Sequence, residues 1–444
     1  MSASGAMPPG LKLAWYGDDF TGASDTLATL AEAGLKALLF LDVPTAAQLA
    51  AAGPLDAVGI AGAARSMAPA EMREALAPVA RFFAACGAPV LHYKCCSTFD
   101  SAPTVGSIGE AVRTLAAALG DRPALIVGGQ PSLGRYCAFG QLFASAGEGG
   151  SVYRIDRHPT MSRHPVTPMA EADLRLHLSR QELAPIASLD LGDYDDPASD
   201  LGDALEAMLA VPGNAAAAVL MDLVSDSQLA ALGRLIWQRA QTAPQLCVGA
   251  SSVAQALLRH WGVAGPARLG GFAPAQGPVM VLSGSMSSLS ARQIDAARSY
   301  EHVPLDAAKL AHGDAAYERT LADRIRTLLR GGRHVLAHTR SSATVEGEGR
   351  AAESRALALA CGRLLRQVLE STPVGRLGVA GGDTSSLALQ ALAPSAMEWI
   401  GRAAPGVALC RLHATPSWLD GMELMLKGGQ MGGDDLFETL RTGL

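Results

Sequence analysis

Two adjacent carboxylates, Asp18 and Asp19, follow an apolar run, Leu11–Tyr16, and a glycine. Like charges side by side raise each other's pKa unless a cation or hydroxyl meets them. Such a pair at the end of a buried strand can cap the next helix, with Asp19 as cap and Asp18 solvated, or it can handle a ligand's hydroxyls and protons. Two further stretches supply partners: Gly62–Met67 holds Arg65 and Ser66, and His92–Gly109 holds Lys94, Cys95, Cys96, Ser97, Thr98, Asp100, Ser101 and Thr104. Fixed cations bind a carboxylate and acids hold hydroxyls, so together these residues suit a small, anionic, polyhydroxylated molecule. Arg65 or Lys94 alone would be an ordinary surface side chain. Their coincidence at equivalent ends of one sheet gives them weight.

That coincidence requires a particular scaffold. Apolar segments at Leu11–Tyr16, Lys36–Leu41, Ala57–Ala61, Val90–Tyr93 and Ala124–Val127 alternate with helical stretches, of which Pro69–Cys86 has a proline near its start and Gly87 beyond its end. The alternation predicts a parallel sheet, with ligands collecting beyond the carboxyl ends of its strands. Thr21 and Ser24 are available to cap the first helix. Gly128–Gly140 has the glycines of a loop approaching a ligand but no G-x-G-x-x-G after its strand. His158 and His164 each precede a proline-directed extended segment and are expected to be structural. Regular alternation resumes with an apolar run at Ala215–Val224, a helix over Ser225–Ala240, a strand at Leu246–Gly249 and a helix over Ser251–Trp261.

Gly262–Pro278 is rich in Gly, Pro and Ala and marks a domain boundary. The expected organisation is residues 1–262, a linker over 263–278, and a second domain over 279–444. In that second domain Val279–Leu282 runs into a small-residue turn with Ser283 and Ser285, then a helix over Ser290–Tyr300. Leu377–Gln390 ends a strand in Gly381 and Gly382, followed by Asp383 and Thr384. Small turns at helix N-termini offer backbone N–H groups to phosphate, and Asp383 can hold a metal or a hydroxyl. Lys427, one of five lysines, precedes Gly428 and Gly429 and a second glycine pair, which suggests a loop over a nucleotide. There is no G-x-x-x-x-G-K-[ST] and no kinase-type G-x-G-x-x-G.

Composition narrows the classes. A 444-residue chain with net charge −6 argues for two domains and against nucleic acid or an anionic membrane as the main partner. No apolar run reaches membrane-spanning length, and the opening segment lacks a secretory pattern, so a cytoplasmic location is expected. Seven cysteines read as reduced thiols, and no His or Cys spacing suggests a protein-held metal.

The motifs GDDFTGASD, K-x-x-S-T at Lys94–Thr98, HPVTPM at His164–Met169, VLSGSMSSLSARQI, GGDTSSLALQAL and LKGGQMGGDDLF together resemble the four-carbon acid-sugar kinase family, in family order and over nearly the whole chain. The resemblance implies an α/β protein of two domains, each a mainly parallel sheet with helices on both faces, with the active site in the interdomain cleft. It implies an N-terminal sugar-acid-binding domain and a C-terminal domain binding ATP with Mg. By motif, Asp18, Asp19, Arg65 and the loop Lys94, Cys95, Cys96, Ser97 correspond to the substrate site. Ser283, Ser285, Gly381, Gly382, Asp383, Thr384, Lys427, Gly428 and Gly429 correspond to the ATP site. Asp18, Asp19 and Asp383 are the candidates for the catalytic acid or base. Family members commonly read K-x-D-S-T-x-R-G in the third loop and D-P-V-T-P-M later. This chain has Cys96 in place of the acid, lacks the usual arginine, has Asp100 with Ser101 nearby instead, and has His164 before the proline. Both departures lie on the substrate side. The expected partners are a short sugar acid and ATP, with a homo-oligomer compatible. A non-catalytic sugar-acid sensor and a nicotinamide-dependent oxidoreductase are the alternatives.

Overall fold

A computed structural model describes residues 7–444 except 121, 148, 165, 195–200, 212–215, 264–270, 286, 340–349 and 430. Of the expected linker, 263–278, residues 264–270 lie outside the described residues. The chain forms two compact units, one of residues 1–37 and 42–267, the other of 38–41 and 268–444.

In chain order the first strands are β1 (Leu13–Gly17), β2 (Ala37–Phe40), β3 (Ala57–Ala61), β4 (Val90–Lys94) and β5 (Ala124–Gln130). They are followed by β6 (Arg135–Ala138), β7 (Gln141–Ser145), β8 (Val152–Arg154), β9 (Ile186–Leu189), β10 (Ala218–Asp222) and β11 (Gln245–Gly249). The first unit is built on a parallel sheet in the order β3–β1–β4–β11–β5–β10–β9. Its central strands are buried on both faces, which explains why they read as unbroken apolar runs rather than alternating ones. The helix Pro69–Ala85 presents Met72, Leu76, Val79 and Phe83 to that core. Each such large side chain contributes roughly 1.5–3 kcal/mol on burial. Proline at its start and the Glu71 carboxylate, which accepts from Ala68 N–H at 2.9 Å, begin it.

Register positions the loops. Gly17 on β1 lies level with Ala61 on β3 and Lys94 on β4, and Lys94 lies level with Gly249 on β11. The segments that follow these residues all leave one edge of the sheet.

The stretch Gly128–Gly140, whose glycines suggested a loop approaching a ligand, instead holds the end of β5, a short turn, β6 and the turn into β7, antiparallel strands that continue into β8. Its glycines serve the hairpin. Asp222, fully buried, accepts from Gly140 N–H at 3.0 Å and ties the next hairpin turn down.

In the second unit the strands are β12 (Val279–Ser283), β13 (Tyr300–Pro304), β14 (His334–His338), β15 (Arg376–Ala380), β16 (Ala396–Ala404), β17 (Val407–His413) and β18 (Glu423–Lys427). Parallel pairings give β13–β14–β12–β15–β18, and an antiparallel run β18–β17–β16–β2 completes the sheet. The sequence pattern placed β2 in the first domain's alternation. The chain uses it as the outer strand of the second unit, where Phe40 pairs with Ala396 and Leu39 with Met397. Val279, Val281, Leu336, Met425 and Phe437 form the core there. Ser283 lies level with Ala380 and His338, and Ala380 with Lys427, so the SGS turn, the Gly381 turn and the Lys427 loop also share one sheet edge. Among the described residues no helix is long and apolar enough to cross a membrane.

Candidate active site

In the first unit, Asp19 is the N-cap of the helix Phe20–Glu32, accepting from Gly22 N–H, so neither Thr21 nor Ser24 is the cap. Asp18 is not solvated: it is 2% exposed. Arg65 meets both acids. Its Nη2 and Nε reach Asp18 Oδ1 and Oδ2 at 2.7 and 3.2 Å, a bidentate pair, and Nη1 pairs with Asp19 Oδ2. Breaking a pair this buried by removing one partner costs about 3–5 kcal/mol, because a charge is left uncompensated. Backbone bonds hold the loops in place: Asp18 N–H to Lys94 O at 3.0 Å, Arg65 N–H to Asp18 O at 3.1 Å, and Cys95 N–H to Gly249 O at 2.9 Å.

Lys94 is buried and lies against the same helix start. A Cβ on Gly22 would overlap Lys94 Nζ and crowd Asp19 Oδ1, so a side chain here would displace the ammonium from the carboxylate. The cluster therefore holds two carboxylates and two fixed cations, a neutral set. Burial pushes the Asp18 carboxyl up and Asp19 adds to that, against the pull of Arg65 and Lys94. Burial also opposes ionisation of Asp19, but Arg65, Lys94 and the Gly22 N–H hold it below the usual carboxylate range. One carboxyl is thus more basic than its neighbour, the pattern that separates proton acceptor from fixed charge.

The predicted loop residues take distinct places. Cys95 is fully buried, and Ser97 is buried as well. Cys96 is partly exposed with its Sγ 2.9 Å from Thr98 Oγ1. Burial and the nearby Asp100 raise the Cys96 thiol, which stays protonated at neutral pH and is no nucleophile. Phe99, fully buried, adopts φ +54° in the turn closed by its N–H on Cys96 O, a left-handed geometry rare for a bulky residue.

Among the described residues, the Thr21 and Tyr93 hydroxyls and Asp100 Oδ1 are buried without a hydrogen-bond partner. Buried polar groups are normally paired, so these are groups suited to a ligand or ordered water. Tyr93, stacked on Tyr16 at 6.0 Å, lies within electrostatic reach of Asp18 and Arg65. It escaped the sequence reading because a tyrosine inside a strand looks like core. His158 and His164 are structural: His158 Nδ1 accepts from Thr160 and Met161 N–H, and His164 Nδ1 from Thr167 N–H, each at 3.1 Å.

The second unit builds its candidate region differently. Ser283 is fully buried and its hydroxyl has no partner among the described residues. Gly284 N–H bonds Ala380 O and Gly381 N–H bonds Lys427 O, both at 3.0 Å, which locks three strand ends together. A Cβ on Gly284 would overlap Thr384 Oγ1. Gly381, at φ +115°, precedes the helix Gly382–Leu392, whose first turn carries Asp383 and the buried Thr384. The Asp383 side chain lies outside what the structure describes. Ser285 Oγ is 3.3 Å from Ser287 Oγ, and Ser287 Oγ donates to Gly429 O at 2.5 Å. Lys427 is fully buried, bonded to Ser290 Oγ at 3.0 Å and Gln293 Oε1 at 2.5 Å. Gly428 and Gly429 follow it at the sheet edge. A small-residue turn leading into a helix N-terminus, as at Gly381–Thr384, is chemically suited to phosphate oxygens.

Family comparison agrees with this division. Residues 13–257 match the sugar-binding N-terminal domain and residues 280–437 the nucleotide-binding C-terminal domain. A 3-oxo-isoapionate kinase of Paraburkholderia graminis is 37% identical, with 99% of this chain and 96% of that one covered. A 3-oxo-tetronate kinase of Methylobacterium radiotolerans is 34% identical, covering 96% and 98%. Among solved structures, Haemophilus influenzae protein HI1011 superposes with a TM-score of 0.70 at 24% identity, covering 96% of this chain and 98% of that one, a likeness of fold. With both domains matched in order and full-length relatives above 30% identity, the chain belongs to the four-carbon acid-sugar kinase family.

Proposed function

We propose that this protein transfers the γ-phosphoryl group of ATP to a hydroxyl of a short 3-oxo sugar acid, a branched five-carbon acid first and a linear 3-oxo-tetronate second. The observation that carries the reading is the charge-balanced set of buried Asp18 and Lys94 with half-buried Asp19 and Arg65 on the sheet edge of the sugar-binding domain. Relatives named for both substrates support the choice between them, and Cys96 in place of an acid favours an acceptor other than the simplest tetronates.

Arg65 and Lys94 anchor the substrate carboxylate. Its arrival turns a neutral cluster negative, which raises the proton affinity of the more basic carboxyl, Asp18. Asp18 then takes the proton of the attacking hydroxyl, while Asp19 stays ionised and keeps Arg65 and the helix start in place. Ser283, Ser285, the Gly381–Thr384 turn and the Gly428–Gly429 backbone hold the triphosphate. Bound with ATP, Mg²⁺ would neutralise charge on the β- and γ-phosphates. Asp383 is the residue whose type and place suit that ion.

The test is ADP release by the full-length protein with Mg-ATP against four- and five-carbon sugar acids, oxidised and reduced. Turnover restricted to 3-oxo acids is expected. Tight sugar-acid binding with no ADP release from any member would replace the reading by a sensor, and NAD(H) binding in place of ATP by an oxidoreductase.

A further inference from the structure

A lysine ammonium carries three N–H donors. In Lys427 two have close acceptors, Ser290 Oγ at 3.0 Å and Gln293 Oε1 at 2.5 Å, and the third faces Gly429 O at 3.5 Å. The side chain is fully buried. The ammonium is directed at the helix and its own loop, although a lysine beside paired glycines invites a role on phosphate. Burial lowers the ammonium to about 8, so at neutral pH it is still mostly charged and its bonds are charge-assisted.

The acceptors belong to one pattern. Ser287, Ser290 and Gln293 recur every three residues, Ser287 as the cap and the others on one face of the helix Ser288–Ala296. Ser287 Oγ donates to Gly429 O at 2.5 Å, Ser290 Oγ reaches the same carbonyl at 3.3 Å, and Gln293 Nε2 donates to Met431 O and Gly433 O at 3.1 and 2.8 Å. Three side chains of one helix thus hold three carbonyls of the glycine-rich loop, and Lys427 joins the strand end to the same helix. A loop with this many glycines has no shape of its own, since each glycine brings extra conformational freedom that must be removed.

We infer that Lys427 is a positioning residue and not a phosphate ligand: with Ser290 and Gln293 it fixes Gly428, Gly429, Met431 and Gly433 in the places that receive the nucleotide. The inference rests on the assignment of Gly428 and Gly429 to ATP.

Isothermal titration of Mg-ATP into the full-length protein tests it, without any need for the sugar acid. Gln293→Ala leaves the lysine charge in place and removes its strongest tether. The inference predicts that Gln293→Ala and Lys427→Met each weaken ATP binding about 10-fold, the size expected for losing a charge-assisted hydrogen bond, and that the double variant is no weaker than either single one. A direct phosphate ligand would give a large loss in Lys427→Met and less than a twofold change in Gln293→Ala, which overturns the inference. So would lowered melting temperatures with unchanged ATP affinity, the mark of a role in stability alone. If Lys427→Met does not fold, Gln293→Ala and Ser290→Ala carry the same test. Failure of the unmodified protein to bind Mg-ATP would instead remove the nucleotide assignment itself, and this inference with it.

Discussion

The two candidate regions solve recognition with opposite materials. In the first unit two carboxylates, a guanidinium and an ammonium neutralise one another, Asp18 and Lys94 buried and Asp19 and Arg65 half-buried, and recognition is built from side chains. In the second, strand ends are stitched backbone to backbone, hydroxyls and glycines line the turn, and the buried lysine is consumed by the scaffold. A small acid with several hydroxyls needs individual partners for each group. A triphosphate needs many weak donors in a concave turn, which any sequence of small residues can supply. Substitution should therefore act sharply in the first region and gradually in the second.

The largest effect is expected at Asp18. Asp18→Asn keeps the shape and removes the proton acceptor, and kcat should fall by about 10²–10⁴ with a far smaller change in the KM for ATP. Ser283→Ala, an equally small change in the second region, should cost less than about 10-fold. Comparable losses from both in initial-rate kinetics would erase the contrast.

Acid should next expose the first unit. His92, fully buried on β4 with its Nε2 3.1 Å from Gly249 O, is pushed down to about 3 by burial, with Lys94 adding to the shift. Between pH 6.5 and 3 the unfolded chain takes up a proton that the folded chain refuses, so stability falls as pH drops through that window. The slope is about 1.4 kcal/mol per pH unit, or roughly 2 kcal/mol between pH 6.5 and 5. Urea unfolding at the two pH values should show a smaller loss in His92→Gln than in the unmodified protein.

The smallest effect is a change of preference. Cys96→Asp should shift the kcat/KM ratio of linear over branched 3-oxo acids upward by about 3- to 10-fold, because a carboxylate beside Thr98 offers a second acceptor. An unchanged ratio would mean that Cys96 does not face the substrate.

Much of this contrast could be read in the chain before its structure. Asp18, Asp19, Arg65 and Lys94 sit at strand ends, and strand ends are legible because a parallel strand buried on both faces is an apolar run that stops abruptly. Three things were not legible, each for a physical reason. β2 is apolar and short, and nothing local in Ala37–Phe40 says which sheet its edge will join. The turn at Gly128–Gly140 used its glycines for hairpins, which carry the same composition as a ligand loop. The tethering of Lys427 could not be read because its burial and the polar spacing Ser287, Ser290, Gln293 acquire meaning only when the helix lies on the loop.

The most direct test of the division is a crossed pair of variants measured by initial rates with both substrates varied. Lys94→Met removes a cation of the first region, and Gly284→Ala places a methyl group against Thr384 in the second. The account predicts that Lys94→Met raises the KM for the sugar acid about 10- to 100-fold and leaves the KM for ATP within about twofold, and that Gly284→Ala does the reverse with a smaller effect. A rise in the ATP KM from Lys94→Met, with sugar-acid affinity intact, would contradict it.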